Sequence, residues 1–364
     1  MSDPSLLRPE DCALLLVDPQ AADLHIASQV QVFVQVQSDF APWKTMLSPV
    51  DTDRLDLEQA FIARTDPVAD GTPKLRLGRQ QFAFDLRRFV SVRDGPNVRQ
   101  SYDAGWGDYE NGPWRLITFY SHPVQVQDNQ VFDDCSSSKQ TFGGARLERK
   151  LTDTINLTGY YANFTQADVH FPNAAGKEDQ DILDLRLNGT VNHFDWDLEA
   201  MNQTARIGSD QIEAWAFGSP AGYTFNTVNW SPRLGIQLDA ASGDGGVAGH
   251  HFGTFNPLFP NGYYLTLAGY TGYVNFIHIK PSLTLHSFQS VKVTLAAAAQ
   301  WREKHGRRRL HPAERACREH GRWPRRLHRQ LRQLRVDWTI DRATAFAVEP
   351  AFCNRRCAAQ RRGG

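Results

Sequence analysis

The sequence predicts an all-β protein, an antiparallel transmembrane β-barrel of porin size, and three observations predict it. Apolar and polar residues alternate at a period of two, as in Val30, Val32, Val34 and Val36 against Gln31, Phe33, Gln35 and Gln37, which is the pattern of strands with two unlike faces. Arginines stand inside such strands, Arg76 between Leu75 and Leu77 and Arg115 between Trp114 and Leu116. A soluble sheet turns its apolar face to a core, whereas a membrane barrel turns that face to lipid and the charged face to a water-filled interior. Connections also alternate in length: short turns around Asn111, Asp153 and His193, long polar loops over 122–140, 165–181 and 242–264. That asymmetry is expected of a barrel with periplasmic turns and external loops.

Taken in order, the first element is foreign to the rest. DCALLLVDPQ (residues 11–20) reads as a short buried strand of the kind that opens a parallel α/β sheet. From Gln29 the alternation begins; Leu55, Leu57 and Phe61 against Asp56 and Glu58 repeat it. Trp106–Tyr109 and Trp114–Tyr120, joined by Glu-Asn-Gly, form a hairpin with an Asn-Gly turn signal. Further hairpins are read at 142–149 with 155–164 and at 183–191 with 196–203; strands follow at 212–217, 234–238, 276–285 and 291–295. The total is about fourteen, each near the ~10 residues a tilted membrane strand needs. Aromatics near strand ends (Trp106, Tyr109, Trp114, Tyr120, Tyr160, Tyr161, Trp196, Trp215, Trp230, Tyr263, Tyr264) are candidates for interfacial girdles.

Net charge is zero only because unlike parts cancel. Residues 1–301 hold 22 Lys/Arg against 34 Asp/Glu, and residues 302–335 hold 13 against 3. The second stretch has neither helical nor strand period; it reads as coding sequence out of frame, or as an arm for nucleic acid or anionic lipid. Strand pattern resumes at Val336. The five cysteines (Cys12, Cys135, Cys317, Cys353, Cys357) have no metal or disulfide spacing. No apolar run approaches the ~18 residues of a membrane helix, and the start lacks the basic and apolar regions of a signal peptide. These ends predict a chain that, as written, neither reaches nor closes in the outer membrane, the barrel being incomplete.

LRLGRQ, FVSVRDGPNVR, GDYENGPWR, GYTF, SPRLGIQLDAASGD and GTFNPLFPNGYY resemble the alginate export family over about residues 22–300, and again over 336–348. The resemblance implies an outer-membrane channel of Gram-negative bacteria that passes an anionic polysaccharide or small anions, with lipid and the outer-membrane assembly machinery as partners and no nucleic acid. It divides the chain into a foreign segment 1–21, a barrel 22–300, the irregular stretch 301–335 and a residual strand pair with tail 336–364. The first twenty residues resemble an isochorismatase-like hydrolase, in which Asp18 would be catalytic.

Such a channel does no covalent chemistry. Fixed guanidinium groups replace the lost hydration of a carboxylate by forked contacts, and interleaved acids keep any one site from holding too tightly. The candidate path residues are therefore Arg76, Arg79, Arg93, Asp94, Arg99, Asp103, Arg115, Asp56 and Glu58. By resemblance LGRQ and SVRDGPN put Arg79, Arg93 and Asp94 inward; strict alternation turns Arg76 inward but sets Arg79 on the side of Leu75 and Leu77. Arg79 then requires a bulge or a position beyond the lipid band, and Gly95-Pro96-Asn97 is the turn or bulge that re-aims Arg93 and Arg99. Each arginine has the competing reading of a cross-strand ion pair. The acidic groups Asp133-Asp134, Asp179/Asp181 and 242–245 lack calcium-loop spacing and read as solvated loops. Asn256–Gly262 reads as a proline-bracketed loop, folded into the mouth or plainly external. No catalytic residue, cofactor or metal is expected. The rival functions are a soluble carbohydrate-binding β-sheet protein and, from the first twenty residues alone, an isochorismatase-like hydrolase.

Overall fold

The computed structural model describes residues 16–17, 20–26, 29–40, 51–68, 70–93, 98–170, 175–244, 251–266, 272–288, 290–304, 329–340 and 345–355. Every regular element among them is a strand, and all twenty belong to one sheet. In chain order they are β1 (Leu16–Val17), β2 (Gln20–Ile26), β3 (Val30–Phe40), β4 (Asp53–Thr65), β5 (Thr72–Gln80), β6 (Tyr102–Asn111), β7 (Trp114–Gln125), β8 (Cys135–Ser136), β9 (Gln140–Thr152) and β10 (Ile155–His170). Then come β11 (Ala175–Val191), β12 (Phe194–Ile207), β13 (Asp210–Thr224), β14 (Arg233–Ala241), β15 (His251–Phe252), β16 (Phe276–Phe288), β17 (Val291–Trp301), β18 (Arg329–Thr339), β19 (Ala345–Val348) and β20 (Ala351–Arg355). No described helix is long and apolar enough to cross a membrane. The chain divides into two compact units, Met1–Ala145 with Leu258–Tyr264, and Arg146–Pro257 with Leu265–Gly364.

In the first unit β2 to β7 pair antiparallel in sequence order. Leu24, Val32, Ile62 and Leu77 stand in register across four strands. Leu24, Ile62, Leu75 and Leu77 are each half exposed or more. Ala63, Trp106 and Phe119 lie on the opposite face, in register with Arg76. The second unit repeats the inversion along β11: Leu183 and Leu185 are 61 % and 58 % exposed, whereas Asp184 between them is 2 % and Gln180 on the same inner face 0 %, with Ile182 the one aliphatic residue buried beside them. Large aliphatic side chains outside and amides and carboxylates inside are the reverse of a soluble sandwich.

Several sequence expectations are corrected. Leu16–Val17 pairs antiparallel with Asp39–Phe40, so it does not open a parallel sheet; Asp18 lies outside the described residues. Phe61 does not share a face with Leu55 and Leu57. Gln35 pairs with Gln59 and Val36 with Leu57, so Glu58 is an extra residue, and a bulge there reverses the phase of all that follows. Residues 165–170 and 175–181 are strand rather than loop: Thr165 pairs with Asp179 and His170 with Ala175, about a bulge between Gln166 and Val169, and residues 171–174 lie outside the described residues. The polar residues of the paired stretches belong to strands longer than the membrane band needs. Short turns are not confined to one end either, because β12 is flanked by two-residue turns at both ends, Asn192-His193 and Gly208-Ser209. Asn192, His193 and Gly208 carry the positive φ that such turns require. Finally, β18 begins at Arg329, six residues before the end of the Arg-rich stretch, and buries Leu331; residues 305–328 lie outside the described residues.

Gly78 shows how tightly the first unit is built. Its φ is +124°, and a Cβ placed there would stand 2.3 Å from the Ala60 carbonyl oxygen. We expect Gly78→Val to cost more than the ~1–3 kcal/mol of backbone strain alone, measured as a fall in the heat-modified mobility transition of the refolded chain. A variant that refolds with an unchanged transition would show that β4 and β5 yield at this point.

Candidate channel wall

The segment expected to carry the functional arginines leaves the sheet. After Gln80 the chain folds back over the inner face of the first unit, where Phe82, Phe84, Phe89 and Val90 are buried. Phe82 stacks on Tyr102 at 4.2 Å and on Phe84 at 5.7 Å. Phe119 meets Phe142 at 5.1 Å, and Phe259 meets Tyr102 edge-on at 5.3 Å and Phe142 at 5.7 Å. Residues 258–264 are thus folded inward against this face, anchored where Ser91 N donates to Phe259 O and Phe259 N to Phe89 O. Trp106 joins the cluster, 5.3 Å from Phe82, and is not a girdle residue. Tyr109, Trp114, Tyr120, Trp215 and Trp230 do stand exposed, as a girdle requires. Sequence alternation finds the strand aromatics but not the cluster, because 82–92 has no period of its own.

The candidate residues separate by partner. Arg79 Nε and Nη2 donate to the two oxygens of Asp103 at 3.0 and 3.1 Å; Nη1 donates to Leu57 O at 3.1 Å and Nη2 also to Asp134 O at 3.2 Å. The β4–β5 and β5–β6 registers carry no shift through Arg79, so no bulge turns it. It stays on the side of Leu77 at the strand end, only 10 % exposed beneath the segment 126–139. Asp103 also accepts from Ser136 Oγ. Arg115 donates to both oxygens of Asp108 at 2.9 and 2.5 Å, with Glu110 at 3.3 Å. These two arginines have bidentate carboxylate partners.

Arg76 and Arg93 do not. The Arg76 guanidinium lies 4.7 Å over the Phe61 ring on the inner face, and Nη1 donates to Gln80 Oε1 at 3.4 Å. Arg93 takes a positive φ of 56°, donates from Nη2 to Leu258 O at 3.2 Å and lies 5.3 Å over Phe259. Burial holds the Arg93 guanidinium below its ordinary value. Among the described residues neither forms an ion pair with a carboxylate. Cation–π contacts of this kind hold a guanidinium without a carboxylate hydrogen-bonded to it.

Asp56 and Glu58 are buried, and Glu58 accepts from Gln35 at 3.0 Å and Gln81 at 2.5 Å. Arg99 is exposed, beside Asp39 and Glu58. Asp94 and Gly95-Pro96-Asn97 lie outside the described residues. Between strands, Asp134 has its carboxyl raised to about 6, by burial first and then by the Asp56 charge. Arg88, buried 6.0 Å from the Tyr264 ring, was not among the candidates. Nor were the pairs of the second unit, Arg186 with Asp197 at 2.6 and 2.5 Å and Arg233 with Asp195 at 2.8 and 2.5 Å. The first is a cross-strand Arg–Asp pair near the Asn192-His193 turn, legible once that hairpin register is written out; the second depends on tertiary neighbours.

A family model described as alginate export matches residues 6–352, the first strand and the Arg-rich stretch included. Solved structures share the fold. A BenF-like porin from Pseudomonas fluorescens Pf-5 is 10 % identical with a TM-score of 0.61, over 96 % of this chain and 89 % of that one. OccK3 (OpdO) of Pseudomonas aeruginosa is 12 % identical with a TM-score of 0.57, over 93 % and 88 %. OccK2 (OpdF) of Pseudomonas aeruginosa in complex with glucuronate is 11 % identical with a TM-score of 0.55, over 90 % and 80 %. No curated protein matches the chain. The hydrolase resemblance of the first residues finds no support, and family and fold are those of outer-membrane transport barrels rather than enzymes.

Proposed function

The chain belongs to the alginate export family, and on that premise we propose that it passes an anionic polysaccharide or small anionic solutes along its inner face, with Arg76 and Arg93 as the groups that attract carboxylate. The observation that carries this reading is the division of the arginines. Arg79 and Arg115 are spent on Asp103 and Asp108, whereas Arg76 and Arg93 rest on aromatic rings without a described carboxylate partner. A guanidinium held by a ring and one hydrogen bond, from Arg76 to Gln80 and from Arg93 to Leu258, keeps its other donors for a passing anion. Glu58, with Asp103 neutralised, supplies the opposing charge that limits residence. Glucuronate, bound by one protein of this fold, has the carboxylate chemistry that this wall suits.

In planar bilayers, the full chain with Arg76→Ala and Arg93→Ala together should lose anion selectivity, read as a reversal potential moving toward zero in a salt gradient. Arg115→Ala should leave it unchanged. A folded double variant with the parental reversal potential would remove both arginines from the path.

A further inference from the structure

The long-loop end of the first unit gathers more negative charge than its arginines balance. Asp53 and Asp56, near the start of β4, and Asp134, in the segment between β7 and β8, bring carboxylate oxygens within 4.8 Å of one another. Oxygens that close to one another can share one Ca²⁺ ion, whose bonds are about 2.4 Å long. Asp53 is 5 % exposed, and its Oδ1 is buried without a hydrogen-bond partner. The charges acting most on it are the carboxylates of Asp134, Asp56, Asp39 and Asp128. The described arginines nearby are engaged with other groups. Arg79 is held bidentate by Asp103 and reaches Asp56 only at 3.8 Å; Arg54 sits 3.7 Å from Asp128; Arg99 acts on Asp39 and Glu58. Asp39 is further satisfied by Gln37 Nε2 at 2.9 and 2.8 Å.

Beside the three carboxylates is a cavity of about 20 Å³, lined among others by Asp39, Asp53, Asp56, Glu58, Arg99 and Asp134. That is room for one ion or one water. A buried, unpartnered carboxylate among other carboxylates costs several kcal/mol unless it takes up a proton or a cation meets it. We infer that Asp53, Asp56 and Asp134 form a divalent-cation site, selective for Ca²⁺, that clamps the segment 126–139 onto β4. Oxygen-only ligands exclude the softer metals, and an irregular set drawn from a strand and a loop suits Ca²⁺, which tolerates varied geometry, better than Mg²⁺, which demands a near-ideal octahedron and sheds its waters reluctantly. The sequence alone put Asp134 in a solvated loop. The fold brings it to Asp56, whose Oδ2 accepts from Asp134 N at 3.1 Å, and ties its neighbour Phe132 N to Leu55 O at 3.0 Å.

The test is calorimetric titration of the full chain, refolded in detergent micelles, with CaCl₂ and separately with MgCl₂. One Ca²⁺ per chain is expected, with Kd on the order of 10⁻⁴–10⁻³ M, as for extracellular sites, and Mg²⁺ at least tenfold weaker. Asp53→Asn and Asp134→Asn should each weaken Ca²⁺ at least tenfold. Hydrogen exchange of residues 126–139 in the unaltered chain should slow when Ca²⁺ is added, a readout that stands even where Asp53→Asn does not fold. Absence of Ca²⁺ binding, undiminished binding by the folded variants, or exchange indifferent to Ca²⁺ would each overturn the site. None of these measurements depends on conduction.

Discussion

Leu185→Arg should destabilise the folded chain in phospholipid bilayers by about 2–4 kcal/mol if the position lies near the bilayer midplane, and by less toward either interface. Leu185 is more than half exposed and stands in β11 between the buried Asp184 and the half-buried Arg186. On a soluble protein an exposed Leu→Arg change is nearly neutral, within about 0.5 kcal/mol. The two environments therefore predict different outcomes for one substitution. Reversible denaturant unfolding into and out of vesicles measures it, with Leu185→Ala as the reference. A cost below about 0.5 kcal/mol would mean that this face meets water or another polar surface rather than lipid.

The second large effect is expected at Phe142, whose ring is fully buried and touches the rings of Phe82, Tyr102, Phe119 and Phe259. Two of these are strand residues; Phe82 and Phe259 belong to segments folded onto the inner face. Phe142→Ala removes the ring that joins them, at a cost of about 3–5 kcal/mol for a buried Phe. Part of that loss should appear as release of 81–93 and 258–264 from the face, because strand pairing holds the sheet while only side chains and a few backbone bonds hold the segments. Single-channel conductance should rise, and proteolysis within 81–93 should become faster. Phe142→Leu should recover most of the stability. If Phe142→Ala lowered stability without altering conductance or proteolysis, the inward segments would be held independently of the cluster.

What the sequence by itself determined was everything that depends on period and local turn chemistry. Alternation at a period of two in 29–37 and 183–191 is a property of neighbours in the chain, and it already separates an apolar face from a polar one. Asn111-Gly112 marks its turn without tertiary help. The motifs quoted above pointed to the family whose model matches residues 6–352.

Tertiary structure decided what alternation cannot carry across an interruption. The bulge at Glu58 reverses which face Phe61 takes, and only pairing with β3 reveals the extra residue. The departure of 81–93 from the sheet follows from Phe82 and Phe84 finding Tyr102, Trp106 and Phe142, contacts between positions up to about sixty apart in the chain that no local pattern encodes. The same holds for charge. Arg76, Arg79 and Arg93 look alike in sequence, yet Asp103 meets one of them and aromatic rings meet the other two. Asp134 reaches Asp53 and Asp56 across about eighty residues. Electrostatic roles depend on the nearest few ångströms, and those are filled by whichever strand and loop the fold brings there.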